Sequence, residues 1–234
     1  SPERPWRDTH LRIEGPAVSD FQQAFLADWN DNGDDGDYDD AEPANGAPEP
    51  AGNDSVRLAT AGDQRASMTI YESYLRAFLK ARRRIWITQA YFAPDRRFLR
   101  TLTRAAKSGV DVRLVLPGHS DSRAMIAAAR SYYSALLRAG ARVFERRNVL
   151  LHAKTALIDD YWVTIGSSNL DNRSFSFNRE LNAVVVSSRV ASAMERLFLD
   201  DVARSDEIDA TEWRRRPLLQ RAAQRIARSA RRWL

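Results

Sequence analysis

The chain has 234 residues, 44% hydrophobic and 29% charged, a balance that supports one large or two small packed domains and excludes wholesale disorder. It has no cysteine, which rules out disulfides, thiolate catalysis and Cys-ligated metal centres, and it lacks the run of about 18 apolar residues that spans a bilayer. The formal charge of +5 hides two extremes: residues 31–54 hold nine acids and no Lys or Arg, while residues 213–234 hold eight arginines and no acid. Basic charge concentrated beside apolar positions points to an anionic partner such as phospholipid or nucleic acid.

In chain order, residues 10–14 alternate like a strand, and Pro16 starts a helix with Val18, Phe21, Phe25 and Trp29 on its apolar face. Residues 31–54 are rich in Asp, Gly, Pro, Ala and Asn and read as a disordered acidic linker without the ligand spacing of a calcium loop. Strands and helices then alternate: a strand over 56–60, a helix capped by Ser67 to about Ala81, a strand over 85–88, and a helix capped by Asp95 and ended near Gly109. A continuous apolar strand over 110–116 follows, then a long helix opened by Asp121 or Ser122 and closed by Gly140, and a strand over 141–145. A hairpin over 151–157 and 162–165, a strand over 183–186 and a helix over 190–202 complete the pattern. Such alternation predicts an α/β sandwich with helices on a mostly buried sheet. From Leu218, Leu219, Ala222, Ala223, Ile226, Ala230 and Trp233 follow helical spacing, with Arg221, Arg225, Arg228 and Arg232 opposite. That is the pattern of a basic amphipathic helix lying on an anionic membrane surface.

The chemistry concentrates in His152-Ala-Lys154-Thr-Ala-Leu-Ile-Asp159, followed after six residues by Gly166-Ser167-Ser168-Asn169. On a strand, His152 and Lys154 would project from one face. An imidazole can act as nucleophile or proton carrier near neutral pH, and a neighbouring ammonium can hold a phosphate oxygen. A turn at Gly166 would let backbone approach an anion, the Asn169 amide could donate to it, and Glu180 could accept from the second imidazole nitrogen. Together these groups describe phosphoryl transfer through a phosphohistidine.

The pattern H-x-K-x4-D-x6-G-S-x-N resembles the signature of the phospholipase D superfamily. The flanking segments Gln89-Ala-Tyr91-Phe92-Ala-Pro94-Asp95, Arg130-Ser131-Tyr132-Tyr133, Asn169-Leu-Asp171-Asn-Arg173-Ser174-Phe175, Asn178-Arg-Glu180-Leu-Asn182 and Trp213-x3-Pro217-Leu218 narrow the resemblance to bacterial cardiolipin synthases. Pro5-Trp6-Arg-Asp8-x-His10 is similar to the segment after that family's first catalytic motif. The resemblance implies a phospholipase D-like α-β-α sandwich with a mixed β-sheet, holding one full half and the tail of the other. It divides the chain into a first-half tail (1–30), the acidic linker (31–54), a second catalytic half (55–210) and the basic C-terminal helix (211–234).

Members of the family carry two such motifs, but neither His10 nor His119 is followed two residues later by Lys, so the first is absent here. The chain therefore reads as the C-terminal portion of a longer two-motif enzyme, with a self-complementing homodimer as the alternative. By resemblance, His152 is the general acid/base for a nucleophilic histidine outside this chain, Lys154 and Asn169 hold the phosphodiester oxygens, and Glu180 orients His152. Asp159 completes the motif, with a turn or ion-pair role favoured over catalysis. Ser167 either lends a hydroxyl to the phosphate or satisfies the turn, and Arg173 either binds a headgroup or forms an ion pair. No metal or other cofactor is expected, because Lys and imidazole supply the positive charge. The implied reaction is phosphatidyl transfer between two phosphatidylglycerol molecules, giving cardiolipin and glycerol, at the bacterial inner membrane and without a nucleic-acid partner. A phospholipase D-type hydrolase, a nuclease of the same superfamily and a silent lipid-binding half are the alternatives.

Overall fold

The computed structural model describes residues 4–32, 49–61, 69–120 and 122–217. In chain order the elements are β1 (Trp6–Arg7), α1 (Ala17–Asn32), β2 (Ser55–Ala61), α2 (Ile70–Lys80), β3 (Arg84–Gln89), β4 (Phe92–Ala93), α3 (Arg96–Lys107), β5 (Asp111–Pro117), α4 (Arg123–Arg138), β6 (Arg142–Arg146), β7 (Leu150–Leu151), β8 (Lys154–Ile158), β9 (Trp162–Gly166), β10 (Leu170–Asp171), α5 (Asn172–Ser176), β11 (Glu180–Val186), α6 (Ser188–Ala203), β12 (Ser205–Glu207) and α7 (Ala210–Arg215).

Short polar side chains set where the helices begin. Asp95 accepts from the Phe98 N–H (2.7 Å) at the start of α3, and Ser122, rather than Asp121, accepts from the Met125 N–H (3.3 Å) at the start of α4. Each such cap contributes about 1 kcal/mol. Thr69 caps α2 by accepting from the Glu72 N–H, in place of Ser67, which lies outside the described residues. Gly140 stops the chain turn after α4 at φ 92°, a left-handed conformation that costs a side-chain-bearing residue about 1 kcal/mol or more.

Eight strands form one mixed sheet in the order β12-β6-β5-β3-β8-β9-β11-β2. The β6-β5-β3 part is parallel, because α3 and α4 carry the chain back between those strands. The β3-β8-β9-β11-β2 part is antiparallel and built from short turns and returns. On one face Ile85, Ile87, Leu114, Leu116 and Ala156 meet Tyr74, Phe78, Phe98, Leu102 and Tyr132 from α2, α3 and α4. On the other face Trp86, Val115, Leu157, Val163 and Val185 meet Ala191, Met194 and Phe198 of α6, with Trp86 stacked on Phe198 at 4.9 Å. Helices therefore cover both faces, as the sequence pattern predicts.

The N-terminal segment departs from expectation. Residues 10–14 keep the predicted alternation, with Leu11 and Ile13 against the core and Arg12 and Glu14 exposed, yet they form no strand and pair with no described strand. The pairing lies earlier: β1 runs parallel to β7, with Trp6 opposite Leu150 and Arg7 opposite Leu151. His10 is accordingly exposed, and so is His119. Arg7 clamps this segment down through two hydrogen bonds to the Asp201 carboxylate (2.9 and 2.7 Å), which Arg146 also reaches at 3.2 Å. Asp201 is 1% exposed, so that charge is stable only with its partners in place.

Helix α1 runs to Asn32, past the predicted start of the linker, because Asp28 and Asp31 lie one turn apart and both pair with Arg179 (2.5 and 3.2 Å). Most of the acidic linker and the amphipathic helix expected from Leu218 lie outside the described residues. No helix among the described residues is long and apolar enough to cross a membrane.

Candidate active site

The expected strand over 151–157 is interrupted where the chemistry sits. β7 ends at Leu151 and β8 starts at Lys154, so His152 and Ala153 occupy the gap between them. Their N–H groups both turn to the Arg7 carbonyl (2.8 and 3.3 Å) instead of to a neighbouring strand of the large sheet. That contact replaces the simple picture of His152 and Lys154 side by side on one pleat. It also brings Asp8 over the imidazole.

His152 Nδ1 lies 2.8 Å from Asp8 Oδ2, and the ring stands edge-on to Trp6 with centroids 5.0 Å apart. Burial pushes the Asp8 carboxyl up, but the hydrogen bonds from His152 and the Thr9 N–H and the charges of His152 and Lys154 outweigh it. The net result is a carboxyl below its ordinary range. An ionised Asp8 accepts the Nδ1 proton and leaves Nε2 as the nitrogen that exchanges protons with a substrate. The imidazole is half-exposed and open to such a substrate.

Glu180 does not orient His152, contrary to expectation. It opens β11, two strands and about 10 Å from β8 across β9, whereas Asp8 arrives directly through the β1–β7 pair. Glu180 instead accepts from Ser167 Oγ (2.5 Å) and Asn178 Nδ2 (3.2 Å). The Ser167 hydroxyl is thereby used within the protein, and it also accepts from the Leu181 N–H (3.1 Å), which is the turn-satisfying role.

Lys154 is buried, and its ammonium donates to the His152 carbonyl. Burial lowers its pKa, while the charges of Asp8 and Glu180 favour the protonated form. Both carboxylates therefore serve the lysine, although only Asp8 touches the histidine. Asn169 holds its amide through the Tyr91 N–H, which donates to Oδ1 at 3.3 Å and leaves the NH2 group as the donor for a ligand. The loop carrying Asn169 is fixed on its far side by the parallel pair β4–β10 and by Asp171, which caps α5 through the Ser174 N–H (2.8 Å). Burial, reinforced by the charge of Glu180, raises the Asp171 carboxyl above its usual range.

Gly166 is needed for a reason the sequence does not show. A Cβ there would collide with the Asn182 side-chain amide and the Leu181 carbonyl, so the glycine makes room for protein rather than for an anion. Asn182 uses that room to accept from the Ser168 N–H (3.2 Å) and to donate to Thr164 Oγ1 (3.1 Å), pinning the loop to β9. Gly166→Ala is expected to cost about 3 kcal/mol and to displace the loop, because backbone and a fully buried amide give way poorly. A thermal unfolding scan measures it, and an unchanged Tm would show that the loop relaxes freely.

Asp159 belongs to the scaffold. It lies at the opposite end of β8 from Lys154, about 16 Å along the strand. Its carboxylate accepts from the N–H groups of Arg82 (3.2 Å), Arg83 (2.8 Å) and Arg84 (3.1 Å), locking the β8–β9 turn to the start of β3. Asp159 itself adopts φ 51°, a left-handed conformation that Asp tolerates better than most residues. Asp159→Ala is expected to destabilise the fold by about 3 kcal/mol by stranding these donors. In a domain of this size that lowers Tm by about 10 °C. A shift under 2 °C, with loss of turnover instead, would return Asp159 to the catalytic set.

Of the remaining candidates, Arg173 is exposed on α5 and has no ion-pair partner among the described residues. Phe92, Tyr132 and Tyr133 are core residues. The Arg130 block is structural as well: Arg130 meets Glu145 with two hydrogen bonds (2.8 and 2.7 Å) and Tyr133 adds a third at 3.1 Å. Asp8 and Asn182 are the residues that sequence reasoning missed. Each lies inside a segment quoted for its family resemblance, and that was the only signal for either.

Residues 74–202, more than half of the chain, match the family model described as cardiolipin synthase, PLD-like domain. The chain belongs to this family. Relatives named cardiolipin synthase from Staphylococcus aureus (strain N315) and cardiolipin synthase A from Pseudomonas putida (strain GB-1) are 36% and 37% identical over 91% and 96% of the chain. Those alignments take up 43% and 46% of the relatives, so the chain spans about half the length of the curated relatives it matches.

Among solved structures, Nuc from Salmonella typhimurium, a phospholipase D family member, is similar at TM-score 0.56 and 23% identity over 67% of this chain and 99% of its own. A phosphatidylserine synthase from Haemophilus influenzae is similar at TM-score 0.57 and 16% identity over 76% of this chain and 45% of its own. These likenesses concern the fold: this PLD-like domain holds one full copy of it. The matched segment contains His152, Lys154 and Asn169 but stops short of Asp8, which comes from outside the domain.

Proposed function

We propose that this chain is the C-terminal catalytic portion of a bacterial cardiolipin synthase that transfers a phosphatidyl group from one phosphatidylglycerol to another. The observation that carries the proposal is the Asp8–His152 pair beside the buried Lys154, in a family whose relatives of 36–37% identity bear that name. A histidine from the other half of the enzyme attacks phosphorus, and the bond from phosphorus to the glycerol oxygen breaks as the phosphorus–nitrogen bond forms. His152 Nε2 gives its proton to the leaving glycerol oxygen while Asp8 holds the imidazole in the required tautomer. Lys154 and the Asn169 amide hold the non-bridging oxygens as charge moves onto them. His152 then removes the proton from the incoming hydroxyl of the second phosphatidylglycerol, whose oxygen bonds to phosphorus as the phosphorus–nitrogen bond breaks, releasing cardiolipin and the free histidine. The missing half supplies the nucleophile, and the enzyme works at the inner membrane.

Lipid product analysis tests this. The full-length enzyme, incubated with phosphatidylglycerol vesicles, is expected to give cardiolipin and glycerol in equal amounts by mass spectrometry. Phosphatidic acid as the sole product would make water the acceptor and the protein a hydrolase.

A further inference from the structure

A cavity of about 330 Å³ opens between the last turn of α4 and α7, lined by Ser134, Leu137, Arg138, Trp213, Arg214 and Arg216. None of these residues belongs to the His152 site. The volume lies at the lower end of the roughly 300–1,000 Å³ range of small-molecule sites.

Part of the wall is already organised. The Arg216 guanidinium stacks over the Trp213 ring at 4.2 Å and donates to the Trp213 carbonyl (2.5 Å) and to Ser134 Oγ (3.1 Å). The Trp213 indole N–H donates to the same hydroxyl (3.2 Å), and its ring rests on Tyr133 with centroids 5.2 Å apart. Arg138 and Arg214 differ from the arginines that hold the fold together. Arg7, Arg84, Arg130, Arg142 and Arg146 each meet a carboxylate, whereas Arg138 and Arg214 are exposed and form no ion pair with a described residue.

The exposed guanidinium groups of Arg138 and Arg214 flank one concavity, and their forked donors suit the oxygens of a phosphate. The carbonyl ends of α4 and α7 oppose an anion weakly, and the Arg216 bond to one of those carbonyls reduces that opposition. Leu137 and Trp213, which also line the cavity, offer apolar atoms beside the cations, which suits an ester of phosphate better than the bare ion. Trp213, Arg214 and Arg216 are also among the first residues of a sequence stretch, 213–234, with eight arginines and no acid.

We propose that the α4–α7 pocket binds the phosphate of an anionic phospholipid headgroup, at a site separate from His152. The phosphate chemistry rests on the pocket's own residues, and the lipid as its source rests on the function proposed above.

The test follows the Trp213 indole cross-peak, assigned with Trp213→Phe, in proton–nitrogen spectra of the whole 234-residue chain. Dihexanoyl phosphatidylglycerol below its micelle concentration is expected to move that peak saturably, and dihexanoylglycerol, which lacks the phosphate, is not. The double variant R138Q/R214Q is expected to bind at least tenfold more weakly, with the Trp86 and Trp162 peaks unmoved as a check on folding. H152A is expected to bind like the parent. An equal response to inorganic phosphate would keep the anion site and overturn the lipid source. A Trp213 peak that neither probe moves, or an R138Q/R214Q titration that matches the parent, would overturn the site. Failure of the full-length enzyme to make cardiolipin, with the Trp213 response intact, would sink the proposed function alone.

Discussion

His152→Ala is expected to lower phosphatidyl transfer in the full-length enzyme by at least about 10⁴-fold while leaving the fold intact. The imidazole is half-exposed, so its loss removes little packing, and Asp8 keeps the Thr9 N–H as a partner. The rate loss follows from removing the group that, in the proposed mechanism, protonates one alkoxide and deprotonates the next. The diagnostic experiment uses a phosphatidyl ester of p-nitrophenol, whose leaving group needs no proton. If His152 is the acid, H152A should still release a burst of p-nitrophenol from that ester and then stall, because deacylation still lacks its base. Absence of the burst would instead make His152 the nucleophile.

Asp8→Asn is expected to reduce kcat about 10³-fold with KM little changed, a loss of about 4 kcal/mol of transition-state stabilisation. Asparagine can occupy the same space, but it carries no charge to stabilise the imidazolium and can present its NH2 group to Nδ1, which selects the wrong tautomer. The orienting role predicts a contrast with Glu180→Gln. That change disturbs Ser167, Asn178 and the field at Lys154 without touching His152, and should cost less in kcat. Steady-state kinetics of the two variants side by side decides the matter. A larger loss in E180Q than in D8N would mean that the His152–Asp8 contact is not the working one.

Much of this protein is legible without coordinates. The apolar run of β5 and the Asp95 cap follow from local rules; β3, β5 and α6 form within two residues of their predicted places, and β11 starts three residues before its own. The H-x-K and G-S-x-N spacing likewise marks the β8–β9 hairpin as the candidate site, because a hairpin fixes which residues lie near one another. Asp159 was legible in part: its place beyond a strand end suggested a turn role, and its three backbone donors come from a loop 75 to 77 residues away.

Where the reading went astray, a distant segment had intervened. Residues 10–14 alternate because Leu11 and Ile13 touch the core, yet alternation records burial and not strand pairing. The predicted strand through His152 breaks because Arg7, 145 residues earlier, offers its carbonyl to that backbone. Glu180 was a reasonable choice of orienting acid by proximity in sequence, and it lost to Asp8 by two strand spacings.

By itself, then, the sequence determined the α/β class and the order of the main elements, and it singled out the side chains proposed to react, since periodicity, caps and a spaced motif act over a few residues. Only the tertiary structure decided which carboxylate meets His152 and why Gly166 must be glycine. It also decided that Ser167 and Asp159 work for the scaffold. Those outcomes depend on the β1–β7 pair, the Arg7–Asp201 clamp and the packing of Asn182 over Gly166, contacts between segments whose meeting no local pattern encodes.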